Sequence, residues 1–236
     1  MFKGLHRWLP SYLGQKDWSP PPGKTVDVML CVVDHFEPLH HTDKKGALDR
    51  IALWNREFPR ITTSFRDADG VGPRHTFFYP VEQYDPDLLK GIQDLCAASG
   101  GEVEIHLHHQ NDTPQTLADS LKLGVENLRR HDFLAGDEKG NVRYGFIHGN
   151  WALDNSHPEG RHCGVNNELE VLQSTGCYAD FTLPSAPDPA QTSTINQIYY
   201  AADTPLPKSH DKGERARVGG RPGGLLLVQG PLGLNW

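Results

Sequence analysis

The sequence predicts an α/β protein built as a single distorted (β/α)7 barrel of parallel strands over residues 26–236, preceded by an N-terminal arm over 1–25. Three observations carry that expectation. Strand-like and helix-like segments alternate from end to end, the pattern of a parallel sheet with helices outside it. Seven strand-like segments occur without the glycine fingerprint of a dinucleotide-binding open sheet, which favours a closed or nearly closed barrel. A length of 236 residues suits one such barrel as well as two smaller domains.

The arm carries Trp8 and Trp18 and ends in SPPPGK, a stiff proline run. VDVMLCVVDHFEP (26–38) is a near-continuous apolar, β-branched run, as expected of a first strand buried on both faces. In residues 46–59, Leu48, Ile51, Ala52 and Phe58 fall at helical spacing, and Pro59 is expected to stop the helix. HTFFYP (75–80) reads as the second strand. The helix after it has Asp85 as cap, Pro86 in its first turn and Gly100 past its end. EVEIHLHH (102–109) is the third strand. The next helix is capped by Thr113 before Pro114 and carries Leu117, Leu121, Val125 and Leu128 on one stripe. Residues 142–151 form strand four, 166–176 a helix ended by Gly176, and 177–184, 195–201 and 223–230 strands five to seven. The stretches 183–195 and 202–223 are long and rich in Pro, Gly and charge, as functional lids or disordered segments are. No segment for a last helix follows before Trp236, so the sequence reads as ending early.

Composition narrows the function. The net charge of −7 opposes a large basic surface, so nucleic acid and anionic membrane are not expected partners. No apolar run is long enough to span a bilayer, and the first residues lack the apolar core of a secretory signal, so a cytoplasmic location is expected. Cys31, Cys96, Cys163 and Cys177 are widely spaced and offer neither a disulfide framework nor a Cys-based zinc motif. Of the 13 histidines, nine gather as His35, His40–His41, His106–His108–His109 and His148–His157–His162.

On strand three, Val103, Ile105 and Leu107 share one face, while Glu102, Glu104, His106 and His108 share the other. In a barrel the polar row points inward, and its C-terminal end is where active sites lie. Two imidazoles spaced H-x-H stand about 7 Å apart along the chain and can converge on one metal; hydrogen-bonded histidines in a polar cavity are the plainer alternative. Strand one ends in Asp34 and His35, with Glu37 two residues on. Strand four ends in His148, on the face of Tyr144 and Phe146. A bare carboxylate beside a metal takes a proton from bound water, which makes Asp34 the candidate base. Asp34 and His35 face opposite ways in a regular strand, so both serve one site only if the strand bends. Asn150 and Trp151, an amide and an indole at the barrel mouth, suit a sugar ring, although Trp151 also suits core packing. His40 and His41 read as solvated, and His157 and His162 as residues of the site rim.

These pieces resemble the polysaccharide deacetylases, the NodB-like carbohydrate esterases built on a distorted (β/α)7 barrel. VVDHF (32–36) stands where that family carries Thr-Phe-Asp-Asp, GGEVEIHLHHQ (100–110) where it carries His-Ser-x-x-His, and GGLLLVQG (223–230) resembles its closing strand. The second histidine of the strand-three motif falls on Gln110, FIHGNW replaces Arg-Pro-Pro-Tyr, and the closing histidine is Gln229. The YdjC-like sugar deacetylases, with an Asp-Asp-Phe motif, a His-Leu-Asn motif and a third ligand from a later strand, are matched by DHF (34–36), HLH (106–108) and His148. The resemblance implies a divalent ion, with zinc expected, on His35, His106 and His148, and Asp34 as base. His108 or His109 is the alternative third ligand. With Gln229 unable to act as an acid, the same two histidines are the candidates for that role, with Asp112 keeping one of them protonated. The implied activity is removal of acetyl groups from N- or O-acetylated sugars. The alternatives are a catalytically inactive sugar-binding barrel and a metal-dependent hydrolase of another small ester, amide or phosphoester. The H-x-H of amidohydrolases and PHP-type phosphoesterases closes the first strand, whereas here two strands precede it.

Overall fold

The computed structural model describes residues 4–15, 19–220 and 222–234; Trp18 of the expected arm and Trp236 lie outside them. The chain forms helix α1 (Leu5–Leu13), strand β1 (Val33–His35), α2 (Lys44–Ser64), β2 (Thr76–Pro80), α3 (Pro86–Ser99), β3 (Glu102–Leu107) and α4 (Pro114–Arg129). It continues through β4 (Tyr144–His148), α5 (Glu168–Thr175), β5 (Cys177–Asp180), β6 (Ile198–Ala201), β7 (Glu214–Arg215) and β8 (Leu225–Val228). The eight strands lie in the order β1-β2-β3-β4-β5-β8-β6-β7. The neighbours from β1 to β8 pair in parallel, whereas β6 is antiparallel to both β8 and β7.

The α/β class and the parallel β1–β5 run agree with the sequence, but the closed seven-stranded barrel does not. Among the described residues the sheet stays open, with β1 and β7 at its edges. The segment 195–201 turns back against β8, and β8 takes the place beside β5. No helix among the described residues is long and apolar enough to cross a membrane.

The first strand is much shorter than expected. Pairing starts at Val33 opposite Thr76, because residues 65–75 ahead of β2 form a loop around the Asp67 turn and offer no ladder to anything earlier. Val28, Met29 and Leu30 are therefore exposed rather than buried on both faces. Helix α2 also departs from expectation. It runs through Pro59 to Ser64, and Thr62, Thr63 and Ser64 hydroxyls and the Arg66 guanidinium donate to carbonyls of its last turns. Ala47 and Ile51 are buried, with Trp54 and Phe58 partly so, while Leu48 and Ala52 face solvent.

The capped helices follow the sequence closely. Asp85 accepts from the N–H groups of Asp87 and Leu88, and Gly100 closes α3 at φ 72°. Thr113 and Thr116 form a capping box on α4, whose Leu117, Leu121 and Leu128 are buried. Under these helices lie Phe77, Tyr79, Val103, Ile105, Leu107, Tyr144 and Phe146, which form one face of β2–β4 and the core of the molecule.

The arm is not a mere lead-in. Trp8 of α1 is buried, and Gln15 Nε2 donates to Ile195 O. The stretch 183–195 is packed rather than lid-like: Gln191 Oε1 accepts from Ser185 N and Ala186 N, both at 2.8 Å, with Gln191 and Thr192 buried. The stretch 202–223 contains β7 and a 3₁₀ turn at Ser209–Asp211.

Candidate metal centre

Strand register decides which histidines meet. Parallel partners share a face, and Phe78 lies opposite both His35 of β1 and Glu104 of β3. His35, Glu104 and His106 therefore occupy the face away from the helices. Asp34 lies opposite Phe77, a helix-side core residue, and Leu107 lies opposite His148. The strand does not bend at Asp34, so Asp34 and His148 stand on the other side of the sheet from His106.

On the His106 side, Glu37 occupies the centre. Its Oε1 lies 3.6 Å from His35 Nδ1, 3.8 Å from His106 Nε2 and 3.5 Å from His108 Nε2. These separations are too long for hydrogen bonds. Those to His35 and His108 fall within, and that to His106 just beyond, the spacing of ligand atoms around a tetrahedral ion, about 3.3–3.6 Å when each bond is about 2.0–2.2 Å. His106 is fully buried, and its Nε2 has no hydrogen-bond partner. Burial, then the neighbouring His35 and His108, pushes its pKa down to about 2, so at neutral pH the ring is uncharged and one of its two unpartnered nitrogens keeps a free lone pair. Burial likewise lowers the pKa of His35.

His108 is different. Its Nδ1 donates to Glu82 Oε1 at 2.6 Å, and this bond raises its pKa against the effect of burial. With the ring proton held on Nδ1, Nε2 is the nitrogen left for an ion, the usual carboxylate–histidine–metal arrangement. Gly149 completes the fit. A Cβ there would lie 2.6 Å from His106 Nε2 and 2.5 Å from His108 Cδ2, so only glycine leaves both rings in place. His35, His106 and Glu37 offer ligand atoms within 4.8 Å of one another, which suits a divalent ion, and His108 Nε2 stands beside them, 3.5 Å from Glu37 Oε1.

The site opens into a cleft of about 720 Å³ lined by His35, Glu37, His108, Asn150, Trp151 and His162. Trp151 is 44% exposed with a left-handed φ of 59°, its ring 5.8 Å from that of His35. Asn150 Nδ2 donates to His109 O, which ties the turn after β4 to the end of β3.

The predicted site thus divides. His35, His106 and His108 come together beside the cleft with Asn150 and Trp151. Asp34 does not join them: its Oδ2 lies 3.1 Å from His75 Nε2, beneath Trp54 and Phe58. His148 and His109 lie on the far side, their rings 4.4 Å apart. Asp112 accepts from His109 Nδ1 at 3.1 Å and lines a neighbouring pocket rather than the cleft. Gln229, in the place of the closing histidine, donates to Thr194 O and accepts from Gln197 N, a structural role. Of the rim histidines, His162 lines the cleft while His157 is buried. His40, expected to be solvated, keeps a largely exposed ring 3.2 Å from Glu37 Oε2.

Glu37 is the central residue that sequence reasoning passed over. The signal was present: alternation from His35 carries Glu37 to the same face, and Phe36 N still donates to Phe78 O beyond the strand end. Cys163 and Glu168, which surround His109 and His148, carried no comparable signal. Compared with known proteins, the chain matches no protein-family model, no curated protein and no solved structure.

Proposed function

We propose that the protein is a metal-dependent hydrolase that removes acetyl groups from N- or O-acetylated sugars in the cleft beside Trp151. The observation that supports this reading best is the convergence of three imidazole nitrogens on Glu37 Oε1, at 3.5–3.8 Å, on the wall of an open cleft. His35 Nδ1, His106 Nε2 and His108 Nε2 would hold the ion, and an imidazole-rich set favours Zn²⁺. A divalent ion supplies Lewis-acid polarisation of an acyl carbonyl and acidifies water.

The remaining work falls to side chains of the chain. Glu37, rather than Asp34, is the carboxylate within reach and takes the proton of the attacking water. Its Oε2 faces His40, which holds the carboxylate orientation. His162 lies on the cleft wall and is our candidate to protonate a departing amine, the role the closing-strand Gln229 cannot fill. Trp151 presents an apolar face for a sugar ring, and Asn150, its Nδ2 committed to His109 O, offers its carbonyl oxygen to a hydroxyl.

A metal-loaded screen against N-acetylated and O-acetylated sugars tests the reading. The expected result is acetate release that falls at least 10³-fold in His106→Ala, together with loss of the cleft ion. A fully loaded protein that releases no acetate from either class, or a His106→Ala variant that retains both ion and turnover, refutes it.

A further inference from the structure

On the helix side of the sheet, four side chains from separate parts of the chain meet out of contact with solvent. His109 follows β3, His148 ends β4, Cys163 belongs to the loop 149–167, and Glu168 opens α5. Each offers a ligand atom within 4.8 Å of the other three, and exposure is 7% for His109 and zero for the rest. Cys163 Sγ lies 3.2 Å from Glu168 Oε2, and His109 Nε2 lies 3.1 Å from Glu168 Oε1. We propose that this cluster is a second metal site, a closed structural Zn²⁺ site with one thiolate, two imidazoles and one carboxylate.

Three features support it. The first is an unmet need: His148 Nε2 is fully buried and has no hydrogen-bond partner. Its Nδ1 accepts from Asn150 N at 3.2 Å, so a neutral ring keeps its proton on Nε2 with no acceptor. Coordination through Nε2 moves that proton to Nδ1 and gives up one long hydrogen bond, a small loss against a metal–nitrogen bond. The second is orientation. Asp112 Oδ2 accepts from His109 Nδ1 at 3.1 Å, and its Oδ1 accepts from Thr116 Oγ1 at 2.6 Å, which leaves His109 Nε2 directed into the cluster. The third is charge. One thiolate and one carboxylate neutralise a divalent ion, so the complex is neutral where water is excluded. Binding displaces the Cys163 thiol proton and the proton that His109 shares with Glu168.

The chemistry differs from that of the cleft. Four buried protein ligands leave no open position, which is the mark of a structural site. Its consequence is mechanical: the ion pins the loop 149–167, which carries Trp151 and His162 to the cleft, against β3, β4 and α5.

The thiolate makes the two sites separable. Titration of the metal-free protein with Co²⁺ should reach two ions per chain, one of which gives a near-ultraviolet thiolate-to-cobalt charge-transfer band. His106→Ala should lose the other ion and keep that band. Cys163→Ser should lose the band, whereas Cys96→Ser should leave it unchanged. If Cys163→Ser does not fold, X-ray absorption of the zinc-loaded parent decides: a sulfur scatterer at about 2.3 Å from zinc supports the site, and nitrogen and oxygen neighbours alone overturn it. A parent that takes up one Co²⁺ without a charge-transfer band, or a band that survives in folded Cys163→Ser, also overturns it. Neither result bears on acetate release from the cleft, so the two readings fail independently.

Discussion

His108 and His109 are adjacent in the chain and belong to two different environments. His108 reaches the open cleft with His35, His106 and Glu37. His109 turns through the sheet to Glu168, Cys163 and His148, among side chains with almost no exposure. Each histidine is oriented by a carboxylate on Nδ1, Glu82 for one and Asp112 for the other. The difference lies in what surrounds them. The cleft cluster has room for a substrate, and Gly149 keeps its rings clear. The buried cluster has no room, and even its backbone donors are spent, with Asp154 N bound to Glu168 Oε2 at 2.6 Å. The same residue types thus line an open cleft on one face of the sheet and a dry cluster on the other.

The dryness of the helix side gives the largest expected effect. Thr182 Oγ1 accepts from His148 N at 2.9 Å and donates to Asp180 Oδ2 at 2.7 Å, and burial raises the Asp180 carboxyl from 3.8 to about 7. A raised folded-state pKa means that the folded protein holds its proton when the unfolded chain has lost it. The associated stability is full below about pH 4, declines as pH rises towards 7 and is gone above it. Asp180→Asn removes this titration, so relative to the parent it should gain on the order of 3 kcal/mol between pH 4 and pH 8. Denaturant midpoints of both proteins at the two pH values check it. Parallel pH profiles would mean that water reaches Asp180 and that the two sides do not differ as described.

Much of this comparison is legible in the sequence, and the reasons it stops are physical. Helices α3 and α4 are readable because their ends are chemically marked by Asp85-Pro86, Gly100 and Thr113-Pro114. The alternation in β3 places His106 and His108 together and separates them from Leu107. The same rule, applied to β4, puts His148 with Tyr144 and Phe146, on the side of the core; joining it to His106 went against that periodicity. Asp34 follows from its place at the strand end as well as from the motif, and needs a bend in β1 to reach the site; register instead sends it to His75 and leaves Glu37 as the carboxylate at the site. Cys163 and Glu168 were beyond reach because the loop 149–167 has no period, and its path depends on left-handed residues such as Asp154, Asn155 and His162. The short β1 was illegible for another reason: an apolar run forms a strand only where a neighbour offers a ladder, and β2 begins at Thr76.

A smaller effect separates the two clusters by their orienting carboxylates. Glu82 holds the His108 proton on Nδ1, and its loss frees the ring to rotate and to carry its proton on either nitrogen. Glu82→Ala should weaken cleft ion binding about 10–100-fold. The thiolate-to-cobalt band of the buried cluster should not change. Competition with a calibrated chelator reads the first quantity, and absorbance reads the second. A Glu82→Ala protein with parental affinity would show that His108 is not a ligand, which would move Glu37 from base to ligand beside His35 and His106.

The smallest predicted effect concerns the cleft alone. Trp151 holds a left-handed backbone, a conformation unfavourable by about 1–2 kcal/mol for a residue with a Cβ. The turn that imposes it, with Trp151 N donating to His148 O at 3.0 Å, presents the indole to solvent beside His35. An indole exposed at that cost is explained if it stacks on the apolar face of a sugar. Trp151→Ala should then raise KM for acetylated sugars about 10-fold, or ~1.4 kcal/mol, the upper part of the range for an aromatic contact. The value of kcat should stay within about threefold, because the indole is not a ligand and makes no contact that strengthens in the transition state. Trp151→Phe should recover most of the loss, and hydrolysis of a small aryl acetate, which has no sugar ring to stack, should be unaffected by either change. If the aryl ester suffers as much as the sugar, Trp151 acts by packing against His35, and the cleft then loses its strongest argument for a carbohydrate substrate while keeping its metal.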